Sequence, residues 1–537
     1  MFVNYLKVAF RNILKHKFFS FINILGMTTG VTACLLIALY IADELSYDRF
    51  HHHAGRIYQV GLHAKIGGQD ITTSTTCPPM AEAFVKEIPG VEQSTRLATV
   101  WGSGVVKYEP GNLMFTEELL YYADSNFFNF FSFKLVEGDP EKALLEPNSV
   151  VLTQHMEQKY FGSEPGMGKL LSIGGHEKTY KVTGITEDCP PNSHFQYNML
   201  VSSASAAHLK STEWLNNYLH TYLMLNENTS AQATEAKFPD LVEKYVGPEI
   251  ERFMGGTIEQ MKQQGGAFGY YTTPLTDIHL KSKSQHDMQP GGNITYVYVF
   301  GAIGLFIIVI ACINFMNLST ARSAGRAKEV GLRKTLGSLR SQMIGQFMSE
   351  SLVYSFIAVL LAVGCCYLLL PQFNLLAGKQ LGMQALVSPT FLISLLALIV
   401  LVGVIAGSYP AFYMTSFSAV EVLKGKIRAG MKSKGIRSGL VVVQFMISIV
   451  LIISTAMVYQ QLQFMRDRNL GIDKHNVMII RSATRLGDNT DAFKNALESQ
   501  TGIVSASYTN NNFPGVNNTT VFKTVTSDQD HIMGLYY

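Results

Sequence analysis

Five apolar windows, each long enough to cross a lipid bilayer, constrain this chain more than any other feature. They fall at 18–42, 294–318, 350–370, 389–414 and 438–460. A hydrocarbon core about 30 Å thick takes roughly 20 residues of helix. One such helix can be the core of a soluble domain, but five cannot all be buried that way in a chain of 537 residues. Between 294 and 318 no residue is charged, and Asn314 and Asn317 are the main polar side chains. Only 15% of the chain is charged, where soluble domains carry about 25%. The first window follows a basic stretch as a signal peptide would. Its apolar core exceeds the roughly 7–15 residues of a signal peptide, and no small-x-small site follows before "ADELSYDRFH", so it reads as a retained anchor.

The cations supply a topology. Loops on the cytoplasmic side are enriched in Lys and Arg close to the membrane. Lys7, Arg11, Lys15 and Lys17 precede the first window; Arg322, Arg326, Lys328, Arg333, Lys334 and Arg340 lie between the second and third. Lys424, Lys426, Arg428, Lys432, Lys434 and Arg437 lie between the fourth and fifth. The three segments alternate correctly, which predicts a multi-pass membrane protein with 1–17, 319–349 and 415–437 in the cytoplasm. Residues 43–293, 371–388 and 465–537 then lie outside. A net charge of +3 concentrated in membrane-flanking segments points to anionic lipid and away from nucleic acid.

In "MFVNYLKVAFRNILKHK", Lys7, Arg11 and Lys15 recur every four residues, with Phe2, Leu6, Phe10, Ile13 and Leu14 on the other side. That pattern predicts a helix lying along the anionic membrane surface. In 43–293, "RIYQVGLHAKI", "SVVLTQ", "KTYKVTGIT" and "TYLMLNE" carry the alternation and β-branched content of strands. Residues 230–264 have helical spacing, interrupted at Gly247-Pro248. The fold expected is an α-helical membrane protein with an inserted extracytoplasmic α+β domain. A basic segment, a span and then strand-like patterning occur twice, at the start of the chain and again from 415 onward. This suggests an internal repeat whose second extracytoplasmic domain, from 465, is only begun.

Catalytic constellations are not found. The nearest approach to a phosphate-binding loop, "GSEPGMGKLL", fails twice, because Ser163 stands where the first Gly is needed and Leu170 where Ser or Thr is needed. No Ser/His/Asp set, carboxylate pair or zinc-spaced Cys/His set stands out; the "HHH" run at 51–53 reads as a solvated loop, and His194 as structural. No cofactor is implied. Cys34, Cys312, Cys365 and Cys366 lie in spans and read as packing residues. Cys77 and Cys189, each followed by Pro-Pro, lie outside, where a disulfide between them is chemically allowed.

Several segments together resemble one family. They are "ADELSYDRFHHHAGRIYQV", "SVVLTQHMEQKYFGSEPGMGKLLSI", "YKVTGITEDCPPNSHFQYNMLVS", "LTDIHLKS", "ACINFMNLSTARSAGRAKEVGLRK", "GSYPAFYMTSFSAVEVLKGK" and "RSGLVVVQFMISIVLIIST". In words and in order they are similar to the FtsX/MacB-type permeases of ABC transporters, in the long duplicated form of Bacteroidetes-like bacteria. The resemblance implies a place in the bacterial inner membrane, a MacB-like periplasmic core domain and a coupling helix after the second span that docks on a separate ATPase subunit. Carried onto this sequence, that helix comprises Arg326, Lys328, Glu329, Gly331, Arg333, Lys334 and Gly337. Gly331 and Gly337 would permit close approach or a sharp turn, and Glu329 could pair with Arg333 or with a partner arginine. The family's work is mechanotransmission: ATP-driven motion carried to the outer domain, exporting lipoprotein, peptide or an amphiphilic drug. It implies a dimeric or pseudo-dimeric permease, with a periplasmic adaptor and an outer-membrane protein as further partners. An FtsX-like regulator of a periplasmic cell-wall hydrolase, or a peptide sensor, is the competing reading.

Overall fold

The computed structural model describes residues 2–66, 69–100, 104–174, 178–321, 323–382, 388–416, 431–468, 476–480, 483–509, 519–523 and 530–534. Two compact units emerge: Met1–Leu45 with Ile294–Lys474, and Ser46–Asn293 with His475–Tyr537.

The first unit is helical. Helix α1 spans Phe2–Lys15 and α2 Lys17–Glu44; α3 is Ile294–Ala321, α4 Ser323–Thr335, α5 Arg340–Ala377, α6 Pro389–Thr415 and α7 Met431–Asp467. Among the described residues, α2, α3, α5, α6 and α7 are long and apolar enough to span a membrane. Their ends outrun the apolar windows, because helix propensity continues where hydropathy stops. The third span is the clearest case: α5 begins at Arg340, ten residues before the apolar window.

Without a hydrophobic force between helices in lipid, packing depends on small residues that let backbones approach. A Cβ on Gly30 of α2 would lie 2.9 Å from Ala311 Cβ of α3, and one on Gly407 of α6 would lie 2.7 Å from Ser351 Cβ of α5. Met27, Cys312, Phe315, Tyr354, Ala358, Val402 and Ala406 fill the space between these helices. Interhelical hydrogen bonds add to this: Ser20 Oγ and Tyr354 OH are 2.8 Å apart, and Ser355 Oγ donates to Ile399 O at 2.9 Å. Cys312 and Cys366 are buried thiols; Cys34 and Cys365 are half-buried.

Asp43 and Glu44 stand at the C-terminal end of α2, where the helix dipole disfavours anions. Lys379, just past the left-handed Gly378 that ends α5, compensates both, at 2.9 Å from Asp43 Oδ2 and 2.7 Å from Glu44 Oε1.

The second unit is built on one mixed sheet of 13 strands. Strands β1 Ile57–Ile66, β2 Gln69–Thr73, β3 Val91–Thr99, β4 Val105–Tyr108, β5 Leu113–Thr116, β6 Leu120–Ala123 and β7 Leu135–Gly138 come first. Strands β8 Ser149–Thr153, β9 Leu170–Ile173, β10 Thr179–Thr186, β11 Met199–Ser202, β12 Leu219–Leu225 and β13 Ala267–Pro274 follow. The order is β13-β1-β12-β3-β6-β11-β8-β10-β9-β4-β5, with β2 on β1 and β7 on β10. The β6–β11 and β8–β10 pairs are parallel, and the other pairs are antiparallel. The four segments with strand-like alternation became β1, β8, β10 and β12.

The stretch 230–264 is not broken at Gly247-Pro248: a π-helical turn over Val242–Val246 runs directly into a helix over Gly247–Met254 with proline in its first turn, and the interruptions fall at 236–237 and 255–257 instead. There proline's missing N–H costs nothing. An aromatic core built from "NFFNFFSF" lies against one part of the sheet, with Phe127, Phe131, Phe133, Phe195, Tyr197 and Tyr222 in mutual contact. Beyond 475, the described residues hold a helix over Thr490–Glu498 and an antiparallel pair, Thr519–Lys523 with Asp530–Gly534. Residues 477–480 have no regular structure.

One alternative left open by the sequence and one expectation are taken up here. Cys77 and Cys189 are free thiols: Cys77 is packed with Met80, Phe84 and Trp214, whereas Cys189 packs against the aromatic core. Each thiol is absorbed by a separate apolar cluster, so nothing brings the two together. The histidine run is not uniformly solvated either. His52 and His53 are exposed, but His51 is 3% exposed, its Nδ1 accepting from the Ser132 N–H at 3.1 Å amid Phe50, Phe131 and Phe133. That burial pushes its pKa down to about 4, against the opposing pull of Asp48.

Candidate functional site: the basic connector

The segment between α3 and α5 folds as two pieces rather than one helix. Helix α4 ends in a left-handed turn: Gly337 takes φ +90°, its N–H donates to Lys334 O at 3.1 Å, and the Ser338 N–H reaches Arg333 O at 3.0 Å. This is the Schellman arrangement, for which glycine is favoured because it has no Cβ to strain. The next helix starts at once, with the Leu339 N–H donating to Gln342 Oε1 at 3.1 Å. The region expected as one coupling helix over 319–349 is therefore a hairpin: α4, a four-residue turn over 336–339, and the first turns of α5.

One face of α4 is held down. Val330 is buried with Met343 and Phe347 of α5 and Ala411 and Met414 of α6. Gly331 is buried next to it. Arg333 donates to Gln346 of α5 and pairs with Glu329 at 2.7 Å, one turn back on its own helix. Lys334 Nζ donates to Thr415 O at 2.8 Å. That carbonyl belongs to the last residue of α6, one of the unpaired acceptors every helix leaves at its C-terminus, where a cation is favoured. Partial burial, and then the nearby Arg340, lower the pKa of Lys334.

On the open side, three leucines are exposed beside Glu329 and Thr335, one on α4 and two in the turn that follows it. Leu332 is 54% exposed, Leu336 78% and Leu339 62%. Sequence reasoning weighted the cations and missed these leucines, because Gly337 turns the chain between Leu336 and Leu339 and no single helical periodicity joins all three. The structure thus divides the expected coupling set. Arg333, Lys334, Val330 and Gly331 bind the connector to α5 and α6, Gly337 turns the chain, and Glu329 braces Arg333. Arg326 and Lys328 lie on the α4 backbone with side chains outside the described residues, as do all of Arg322 and most of the 415–437 linker with Lys424, Lys426 and Arg428.

At the N-terminus, Lys7, Arg11 and Lys15 are exposed along α1, as are Phe10 at 52% and Leu14 at 67%. Ala9 is buried and Ile13 packs toward the bundle, while Asn12 Nδ2 lies 3.5 Å from Glu350 Oε2 of α5. So α1 is fixed to α5 along one side and offers cations and apolar side chains on the rest.

Among the described residues no group of His, Cys, Asp and Glu side chains could hold a metal ion. The connector's described part is a short helix and turn with three exposed leucines, held to α5 and α6 by Val330, Arg333 and Lys334.

Comparison with known proteins adds the context. Residues 20–241 match the MacB-like periplasmic core domain, and residues 301–419, which include the whole connector, match the FtsX-like permease C-terminal region. The chain is similar to the ABC transporter permease YknZ of Bacillus subtilis, 21% identical over 432 residues that cover 78% of this chain and 98% of that one. It is also similar to the macrolide export ATP-binding/permease protein MacB of Bdellovibrio bacteriovorus, 30% identical over 164 residues. That match covers 30% of this chain and spans only 23% of the MacB protein's length. Among solved structures, a domain of a permease protein from Porphyromonas gingivalis is 22% identical with a TM-score of 0.35, over 42% of this chain and 91% of that one.

Proposed function

Because this chain belongs to the MacB/FtsX-type ABC transporter permeases, we propose that it couples ATP hydrolysis on a separate ATPase subunit to movement of its extramembrane domain, through the α4 connector. The observation that carries this reading is the division of the connector into a clamped face and an open one. Arg333 and Lys334 tie α4 to α5 and to the end of α6, so a push on α4 displaces both spans together. Leu332, Leu336 and Leu339 present the kind of apolar ridge that fits a groove on a partner.

The topology drawn from the cations places the connector in the cytoplasm, where ATP is held, and the large domain in the periplasm. Cations on α1 meet anionic lipid, and Phe10 and Leu14 enter its acyl boundary. The MacB relatives are macrolide exporters by name. Cargo of that amphiphilic kind, or a peptide or lipoprotein, is captured on the outer side, with a periplasmic adaptor and an outer-membrane protein completing the path. The working unit is a dimer or pseudo-dimer of such permeases.

Co-purification with the candidate ATPase tests the docking. Gly331 is buried, so a substitution there would not test the open side alone. Leu332→Glu with Leu336→Glu instead alters only the open face. Burying one leucine stabilises by about 1.5–3 kcal/mol, so the double variant is expected to weaken ATPase association more than tenfold with membrane insertion intact. Association at the wild-type level would remove the connector from the interface.

A further inference from the structure

Two motifs that bear no part in ATPase docking meet in the second unit. "SYDRFH", residues 46–51, is the chain immediately after α2, and "PPNSHF", residues 190–195, leads into β11. Asn192 Nδ2 donates to Ser46 O at 3.2 Å and to Ser46 Oγ at 2.9 Å, while the Asp48 N–H donates to Asn192 O at 2.9 Å. Asp48 is fully buried, and its backbone takes φ +59°. Its Oδ1 accepts from the His194 N–H at 3.1 Å and from Ser193 Oγ at 3.4 Å, and lies 2.9 Å from His194 Nδ1.

The other side of the His194 ring reaches the sheet. Nε2 is 2.8 Å from Tyr222 OH, which also accepts from Gln59 Nε2 at 3.3 Å. Tyr222 and Gln59 face each other across β12 and β1. One turn further along the chain, His51 and His52 are pinned to Ser132 by reciprocal bonds, at 3.1 Å to His51 Nδ1 and 2.9 Å from the His52 N–H to Ser132 Oγ.

A buried carboxylate in a left-handed backbone is a costly way merely to fill space. An apolar pair of equal volume would cost less desolvation, and Asp or Asn tolerates this φ where most residues do not. What a buried carboxylate gripped through one oxygen supplies is direction, because the contacts converging on Asp48 Oδ1 hold one geometry and resist sliding, while Oδ2 is buried without a hydrogen-bond partner among the described residues. We infer that Asp48 and His194 are positioning residues of a latch that grips the chain as it leaves α2 and ties it to β12 and β1. Displacement of α2 then reaches the centre of the sheet through Ser46–His51 without being absorbed there. The inference rests on the mechanical reading above and names where the motion enters the domain.

The test uses the full chain in lipid nanodiscs and amide hydrogen exchange, first alone and then with the bound ATPase, nucleotide-free or trapped with ATP. Three variants are compared: Asp48→Asn, which keeps the backbone geometry and an acceptor for the His194 N–H; His194→Gln; and Asn192→Ala, which leaves the buried charge untouched. In the chain alone, amides of 48–52 and 193–195 are expected to exchange about tenfold faster in each variant, with β3, β8 and β10 unchanged. With the ATPase, wild type is expected to change exchange in β1 and β12 on trapping, and the variants to lose that change while ATP hydrolysis persists. Unaltered local exchange, or loosening spread evenly over the sheet, would overturn the latch. A variant that transmits the change as wild type does would also overturn it and leave the coupling reading standing. If wild type itself shows no ATP-dependent change, both the coupling and the transmitting role of the latch fall.

Discussion

At the scale of single residues, burial rather than chemistry explains most of the histidines and cysteines that the sequence offers as temptations. His220 on β12 and His51 after α2 are both held near pKa 4, chiefly because their surroundings exclude water. For a base depressed in the folded state, the unfolded chain binds the proton first. Stability is therefore intact above the unfolded value of about 6.5 and is lost as pH falls from there toward 4. With a shift of roughly two units or more, each imidazole contributes on the order of 3 kcal/mol to that loss. The guanidinium midpoint of the extramembrane domain, followed through the buried Trp214, should fall between pH 6.5 and 4. His220→Gln should flatten the slope by about half, and an unchanged slope would exclude His220 as its source. Cys77 and Cys189 follow the same logic, since burial holds both thiols near pKa 12, which leaves almost no reactive thiolate at neutral pH.

Among elements, the helices decide the architecture through their smallest residues. Gly407 and Gly403 of α6 face Ser351 and Leu352 of α5, with Cβ positions 2.7 Å from the nearest side-chain atoms. A larger residue must push α6 off α5, and overpacking of this sort costs about 1–3 kcal/mol. Gly407→Val is expected to lower the melting temperature of the detergent-solubilised chain by several degrees. Gly364→Ala in α5, where an added Cβ meets nothing within 4 Å, should leave it unchanged or raise it. Equal effects would mean that helix propensity, not close approach, sets these positions. Because Lys334 holds the end of α6, a displaced α6 should also disturb the seat of α4, tying the glycine contacts to the connector.

For the whole molecule, the apolar windows and cations were enough to place the spans and to predict a sidedness. Labelling of intact cells with a membrane-impermeant maleimide checks it, using Thr335→Cys on the connector and Lys210→Cys on the domain, both exposed positions, in a background lacking the native cysteines. Lys210→Cys should label from outside, and Thr335→Cys only after the membrane is opened. The reverse result would put the connector out of reach of ATP and end the coupling proposal.

What the sequence determined by itself is what depends on local pattern and on solvent. Span number, the α+β character of the insert, the strands later seen as β1, β8, β10 and β12, and the glycine turn at 337 all follow from periodicity, hydropathy and backbone sterics, which act over a few residues. What only the tertiary structure decided depends on residues far apart in the chain. The pairing of Lys334 with Thr415, of Lys379 with Glu44 and of Asp48 with His194 joins positions 81, 335 and 146 residues apart. A charge looks alike in sequence whether water or a buried partner satisfies it. Only the fold shows that Arg333 and Lys334 are bound inward, and that the leucines beside them are left facing out.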